Sequence, residues 1–328
     1  MKFLVTGCAG FIGHAVSMAL LEAGHSVSGV DSISSYYSVT LKRLRLARLH
    51  KMPGFEFHQL DLATPDALME LPGRGEIDQV IHLAAQAGVR HSMDNPFPYV
   101  TSNVVGHLSV LEFCRRMPRR PNLIYASSSS VYGVSEETPL REDGIAGPPA
   151  SLYAVTKQAD ELMSQAYSSL YGIVQTGLRF FTVYGPWGRP DMAYWIFTRK
   201  AYSGEPVKLF NYGKMERDFT YIDDAVTGVM AVALSSARAS QKGGIHQIYN
   251  LGSGRSESLQ NLVDSVAKST GCKVDTAHYP HQPGDVKRTC ADISKLKQDY
   301  GYAPKIQLEE GINRFVDWYN SNAEFASI

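Results

Sequence analysis

Short runs rich in β-branched and aromatic residues alternate with longer amphipathic stretches through the first half of the chain. The runs at 2–6, 25–31, 55–60, 79–84, 122–127 and 173–180 predict strands. Between them, 11–23, 39–50, 96–116 and 153–171 carry apolar residues at helical spacing and predict helices. Strand, helix, strand is the βαβ order of a parallel sheet. The strand runs are apolar on both faces, so helices must cover both sides, which predicts an α/β fold with a Rossmann-type doubly wound parallel sheet. After about residue 181 the rhythm breaks, and Gly185, Pro186, Trp187, Gly188, Pro190 and Trp195 read as a structured loop region of the kind that carries binding function. A helix over 221–234 and a strand over 246–251 read as late additions to the first sheet. Helices over 259–270 and 308–319 predict a smaller mixed α/β C-terminal lobe.

Composition narrows the class without changing the fold. At 328 residues the chain exceeds the usual single-domain size, and 44% hydrophobic with 20% charged residues is ordinary globular composition. Its 32 basic and 32 acidic side chains balance, which argues against a nucleic-acid partner. No stretch reaches the roughly 18 to 20 apolar residues needed to span a bilayer, so no membrane partner is expected. The apolar run at 3–5 leads straight into a glycine-rich turn and leaves no room for a cleavable signal. Cys8, Cys114, Cys272 and Cys290 are scattered without metal-ligand spacing. A cytoplasmic protein with reduced thiols and no metal is the expectation.

The first strand runs into Gly7-Cys8-Ala9-Gly10-Phe11-Ile12-Gly13. Glycines there permit a tight turn, a close backbone approach to a pyrophosphate, and close packing of the next helix, whose N-terminus offers free N–H groups. Asp31 ends the second strand, where a carboxylate can accept from the adenosine ribose hydroxyls and repels a 2′-phosphate. Together these point to NAD rather than NADP. Asp61 and Leu62 after the third strand, and Leu83, Ala84 and Ala85 closing the fourth, fit the same site. The expected division is an NAD-binding domain over 1–180, with later contributions from about 221–251, and a mainly substrate-binding lobe over 181–328.

Tyr153 and Lys157 stand four apart on a predicted helix, so both side chains share one face. A phenol with an ordinary pKa of about 10 is a poor base at neutral pH, and a neighbouring ammonium favours its phenolate. The fifth strand ends in Ser127, Ser128, Ser129 and Ser130, at the sheet edge where open α/β sheets bind ligands. Strand end, glycine turn and tyrosine helix should converge on one crevice.

These residues resemble the extended short-chain dehydrogenase/reductases that act on nucleotide sugars, and within them the chain is similar to the UDP-glucuronate 4-epimerases. The resemblance runs from Phe3 to Tyr319 and rests on the segments 5–13, 82–90, 179–186, 188–193, 217–222 and 282–286. It implies Tyr153 as base, Lys157 as its partner and Ser128 as the hydroxyl that relays the proton or polarises O4. It further implies Arg189 and Arg217 on the diphosphate and uridine side, Asp285 in the same substrate set, and Asn103 and Val104 beside the cofactor. Family members of this kind commonly dimerise through paired helices, which makes 96–116 and 151–171 the expected homodimer interface. Gln282 departs from the arginine of UDP-galactose epimerases, and Lys287 and Arg288 add charge without an assigned place.

All such relatives first oxidise C4 to a ketone, and the residues before Val131-Tyr132-Gly133 decide the fate of that ketone. Dehydratases of the family carry Asp-Glu there and related decarboxylases Ser-Glu; this chain carries Ser129 and Ser130, which offer hydroxyls but no acid. The expectation is therefore inversion at C4 of a UDP-sugar acid. Its carboxylate would be held out of line with the ketone by Thr182, Ser129 and Ser130, or by Arg90. The alternatives are a neutral UDP-hexose (or N-acetyl) 4-epimerase, a UDP-glucuronate decarboxylase, or a non-catalytic NAD-binding sensor or scaffold. The last reading is disfavoured because Tyr153 and Lys157 are both retained.

Overall fold

The computed structural model describes residues 1–135, 137–144, 146–235, 246–282 and 284–322. Thirteen strands occur among them. The first six are β1 (Lys2–Thr6), β2 (Ser26–Asp31), β3 (Phe55–Gln59), β4 (Gln79–His82), β5 (Asn122–Ser128) and β6 (Gln175–Phe180). Then come β7 (Thr182–Tyr184), β8 (Val207–Leu209), β9 (Glu216–Arg217), β10 (Phe219–Tyr221), β11 (His246–Leu251), β12 (Glu257–Ser258) and β13 (Thr276–His278). Seven of them form one parallel sheet in the order β11-β6-β5-β4-β1-β2-β3.

Successive residues of β1 serve opposite faces. Phe3 and Val5 enter the core shared with helix Phe11–Glu22, whereas Leu4 enters the core shared with helix Gly106–Arg116. All three are fully buried, which is why the run is apolar throughout. The chain adds strands outward on one side from β1 to β3 and on the other from β4 to β6. A crevice therefore opens at the carboxyl ends of β1 and β4, where the order reverses.

Helix Leu152–Tyr171 crosses beside this crevice. Ser151 caps its start by accepting from the Ala154 amide at 3.2 Å, and Gly172 ends it in the left-handed conformation at φ +68°. The stretch from 97 to 116 begins with a helical turn at Phe97–Tyr99, passes through a π-helical turn at Val100–Val105, and continues as helix Gly106–Arg116. Strand β11 adds to β6 with six residues in register, and helix Ile222–Ala233 packs against helix Phe11–Glu22, so both late segments join the first sheet.

The region after 181 is more regular than its composition implies. Residues 193–203 form a helix, Ala193–Ser203, built around the fully buried Trp195, and residues 294–300 form another. Trp195 packs against Phe315 and Tyr319 of helix Leu308–Ser321, and helix Leu259–Thr270 packs on both. Aromatic residues that resemble loop chemistry in the sequence are here part of one buried core that also takes in Phe3 and Val5 of β1. Three two-stranded pairs, β7 with β10, β8 with β13 and β9 with β12, join parts of this later region to one another. Among the described residues no helix is long and apolar enough to cross a membrane, and no group of three or more His, Cys, Asp or Glu side chains is placed to hold a metal.

Candidate functional site

The crevice opens into a cleft lined by the glycine turn, the ends of β2 to β5, the start of helix Leu152–Tyr171 and the segment 180–192. Gly7 turns at φ +72°, and a Cβ on it would lie 2.7 Å from the Ala84 amide nitrogen, so β1 and β4 approach as closely as backbone allows. A Cβ on Gly13 would strike the Gly7 carbonyl. Glycine is required at both places, and the turn leaves backbone N–H groups at the mouth of the following helix. Asp31 holds its carboxylate at the end of β2 by accepting from the Ala9 amide at 3.1 Å and the Ile33 amide at 2.8 Å. Gly7, Gly10, Phe11, Ile12, Gly13, Asp31, Asp61, Leu62, Leu83, Ala84 and Ala85 all line this half of the cleft. A glycine cradle beside a fixed carboxylate and a floor of small residues fits an adenine dinucleotide.

Lys157 and Tyr153 line the other half. The Lys157 ammonium donates to the Ala126 carbonyl at 2.9 Å and to Asp160 Oδ2 at 3.0 Å, with both side chains buried. Burial alone would lower the lysine's pKa, but Asp160 and then Tyr153 outweigh it and hold Lys157 above its ordinary value. Burial also pushes Asp160 up to about 6, with Lys157 opposing. Tyr153 is fixed at the helix start, where its amide donates to Ser92 Oγ at 3.3 Å and its ring meets Tyr99 edge-on at 6.1 Å.

The four serines divide their work. Ser127 donates backward to Glu161, which also receives Arg179 in a two-pronged pair at 2.9 and 2.8 Å. Ser128 Oγ accepts from the Ser130 amide at 3.2 Å and donates to Ser130 Oγ at 3.0 Å, which holds the turn after β5 beside Tyr153. Ser129, Ser130 and Thr182 complete this wall, Thr182 being fixed by its amide donating to the Asp218 carbonyl at 3.0 Å. Arg189 also lines the cleft and pairs with Asp191 at 2.9 Å. Burial works against its charge, and Asp191 more than offsets that, so the guanidinium lies above its ordinary value.

Five expected site residues, Asn103, Val104, Arg90, Arg217 and Asp285, lie outside the cleft wall. Asn103 is buried in the π-helical turn, accepts from the Gln86 amide at 2.7 Å, and donates to the Gln86 carbonyl and Thr156 Oγ1 at 3.2 and 3.0 Å. It thereby shapes the loop after β4 from behind. Arg90 and Arg217 both reach Asp285, at 3.0 and 2.6 Å, in a bridge between the loop at 88–92 and the second lobe. Pro283 of the segment 282–286 lies outside the described residues.

Other residues enter the site without a sequence signal. Lys42, Tyr36 and Tyr37 line the cleft from the loop and helix after β2, and Lys42 is held by the Ser34 carbonyl and hydroxyl at 2.7 and 2.9 Å. Asp160 follows Lys157 by one helical turn, a spacing shared with many surface ion pairs.

A dinucleotide cradle facing a paired tyrosine and lysine defines an α/β oxidoreductase-type site, and residues 3–252 match the NAD dependent epimerase/dehydratase family, to which the chain belongs. Within it, the chain is 42% identical over 332 residues to UDP-glucuronate 4-epimerase 1 of Arabidopsis thaliana, covering 98% of this chain and 77% of that protein. Its fold superposes with a TM-score of 0.88 and 34% identity on UDP-glucuronic acid 4-epimerase from Bacillus cereus in complex with UDP-glucuronic acid and NAD, covering 98% and 99% of the two chains. It also superposes, at 0.87 and 29% identity over 98% and 100% of the chains, on the UDP-glucose 4-epimerase of Thermotoga maritima with UDP-glucose.

Proposed function

We propose that the chain is an NAD-dependent UDP-glucuronate 4-epimerase, which interconverts UDP-glucuronic and UDP-galacturonic acid through a transient 4-keto sugar. The observation that carries the reading is the set of groups lining the cleft. Tyr153, Lys157, Ser128 and Thr182 face the glycine cradle, and the only carboxylates in the wall among the described residues are Asp31 and Asp61 at the cradle end. The glycine turn and Asp31 would hold NAD, which would supply a reversible acceptor for the C4 hydride. Tyr153 removes the O4 proton and gives it back, with the buried Lys157 ammonium one helical turn further along beside it. Ser128 aligns O4. Dehydration would need an acid beside Ser129 and Ser130, and among the described residues none lines that wall. Ser129, Ser130 and Thr182 offer neutral hydroxyls to the substrate carboxylate, while Arg189 serves the diphosphate side.

The mechanism predicts conserved hydride. Deuterium placed on C4 of UDP-glucuronate stays on C4 of UDP-galacturonate, with no net consumption of added NAD. Mass spectrometry of the products tests this, and transfer of label into free NADH would rule out the epimerase reading.

The chain also presents one unpartnered apolar face. Phe97 is 81% exposed, Leu162 67% and Leu170 71%, with Val100, Val105, Leu108 and Val155 exposed on the same two helical segments. A second copy of the chain, packed helix pair against helix pair, would cover them. Analytical ultracentrifugation should give a species of twice the chain mass, and a monomer at micromolar concentration would exclude the pairing.

A further inference from the structure

Arg45 sits on helix Val39–Leu49, whose charged sequence reads as a solvated surface helix. It is fully buried, and the hydrogen bonds it makes go to main-chain carbonyls and one phenol. Nε donates to the Trp187 carbonyl at 3.0 Å, and Nη2 donates to the same carbonyl at 2.6 Å and to that of Gly188 at 2.7 Å. Nη1 donates to the Ala9 carbonyl at 3.0 Å and to the Tyr37 hydroxyl at 2.7 Å. These bonds use the whole donor fork of a guanidinium, which is how a buried cation is tolerated.

The two segments joined in this way are far apart in the chain, and each adjoins residues that line the cleft, Gly7 and Gly10 on one and Arg189 on the other. Ala9 lies inside the glycine turn of the cradle, and Trp187 and Gly188 immediately precede Arg189. Trp187 is held at φ +61°, a left-handed conformation that a bulky side chain adopts only when its surroundings impose it. Arg45 grips the Trp187 carbonyl twice, and the Arg48 guanidinium lies over the indole at 4.7 Å. Nearby, Tyr36 donates at 3.4 Å to Asp191, the partner of Arg189. Trp187 also packs on His14 of the cradle helix at 5.8 Å and on Trp318 of helix Leu308–Ser321 at 5.3 Å, so the strained turn before Arg189 is supported in part from the cofactor side.

We propose that Arg45 is a positioning residue that couples the two ligands, so that a dinucleotide seated on the glycine turn strengthens binding of the nucleotide diphosphate beside Arg189, and the reverse. The inference rests on the NAD and UDP-sugar reading above. A dinucleotide that engages the glycine-turn amides fixes the Ala9 carbonyl, which fixes the guanidinium, which in turn fixes the Trp187–Gly188 turn. Ordering achieved by the first ligand is not repeated for the second, and thermodynamic linkage makes the effect mutual.

The test is calorimetric titration of UDP into cofactor-stripped and NAD-loaded protein, and of NAD with and without UDP, for wild type, Arg45→Lys and Arg45→Met. In wild type each ligand should tighten the other by about tenfold, by the same factor in both directions. In Arg45→Met the factor should fall to within about twofold of unity while each ligand still binds alone. Arg45→Lys keeps the charge but cannot span three carbonyls, and should lie between. Hydrogen exchange in 185–192 should slow on NAD binding in wild type and not in Arg45→Met. If Arg45→Met does not fold, the wild-type factor and the lysine variant decide. Wild-type protein that binds both ligands without mutual enhancement, or Arg45→Met that retains the full factor, overturns the coupling alone. Wild-type protein that binds neither ligand overturns the functional reading itself.

Discussion

Tyr153→Phe is expected to lower turnover of UDP-glucuronate by about 100- to 10,000-fold, the usual loss on removing a positioned general base, while NAD and UDP-sugar remain bound. The geometry allows this separation. The phenyl ring keeps its edge contact with Tyr99, the amide keeps Ser92, and Lys157 is held independently by Ala126 and Asp160. Only the hydroxyl is lost. Lys157→Met is the contrasting change, because it also strands the buried Asp160 carboxylate, whose Oδ1 already lacks a partner. Breaking a buried pair in this way costs about 3 to 5 kcal/mol of stability, so that variant should unfold earlier as well as turn over slowly. Steady-state rates with retained NAD absorbance distinguish the two. A Tyr153→Phe enzyme with more than a tenth of wild-type turnover would remove Tyr153 as the base.

Thr182→Val is expected to slow UDP-glucuronate turnover by about 10- to 150-fold, from the roughly 1.5 to 3 kcal/mol that a hydroxyl contributes to a charged acceptor. UDP-glucose, which lacks the carboxylate, should be affected less. Valine preserves the shape of the side chain, and the strand is held through the backbone by Asp218, so the wall stays in place. Once C4 is a ketone the substrate is a β-keto acid, and a carboxylate free to rotate into line with the carbonyl leaves as carbon dioxide. A detectable share of UDP-4-keto-pentose should therefore accompany the lost activity. The rival anchor, Arg90, is engaged with Asp285 and lies outside the cleft wall, so Arg90→Met should not release that product. Equal slowing on both sugars without decarboxylation would sink the Thr182 assignment.

The sheet is legible in the sequence because a strand buried on both faces must be apolar at consecutive positions, and Phe3-Leu4-Val5 supplies three such residues. The glycine turn and the Tyr153–Lys157 pair are legible because their spacing is itself the geometry. Residues that act through other residues are not. Arg45 looks like one more cation on a charged helix, since nothing local marks that its partners are carbonyls far along the chain. Asn103, expected beside the cofactor, is buried in a π-helical turn with its amide bonded to Gln86 and Thr156, contacts that no local spacing in the sequence marks. The helix Ala193–Ser203 is hidden for the opposite reason. Its aromatic residues and the flanking Gly and Pro read as irregular chain, and only packing against helix Leu308–Ser321 shows that they are core.

Strand β11 has a consequence for how the chain is made. It joins the sheet at the outer edge of β6, seventy-one positions after its partner in the register His246↔Gln175. A nascent chain that has left the ribosome only through β6 carries an unpaired parallel edge, open to any extended peptide nearby. The edge closes only when β11 emerges, after much of the second lobe has already been synthesised. Truncation before residue 246 should leave a six-stranded sheet with a sticky open edge at β6 instead of an autonomous nucleotide-binding domain.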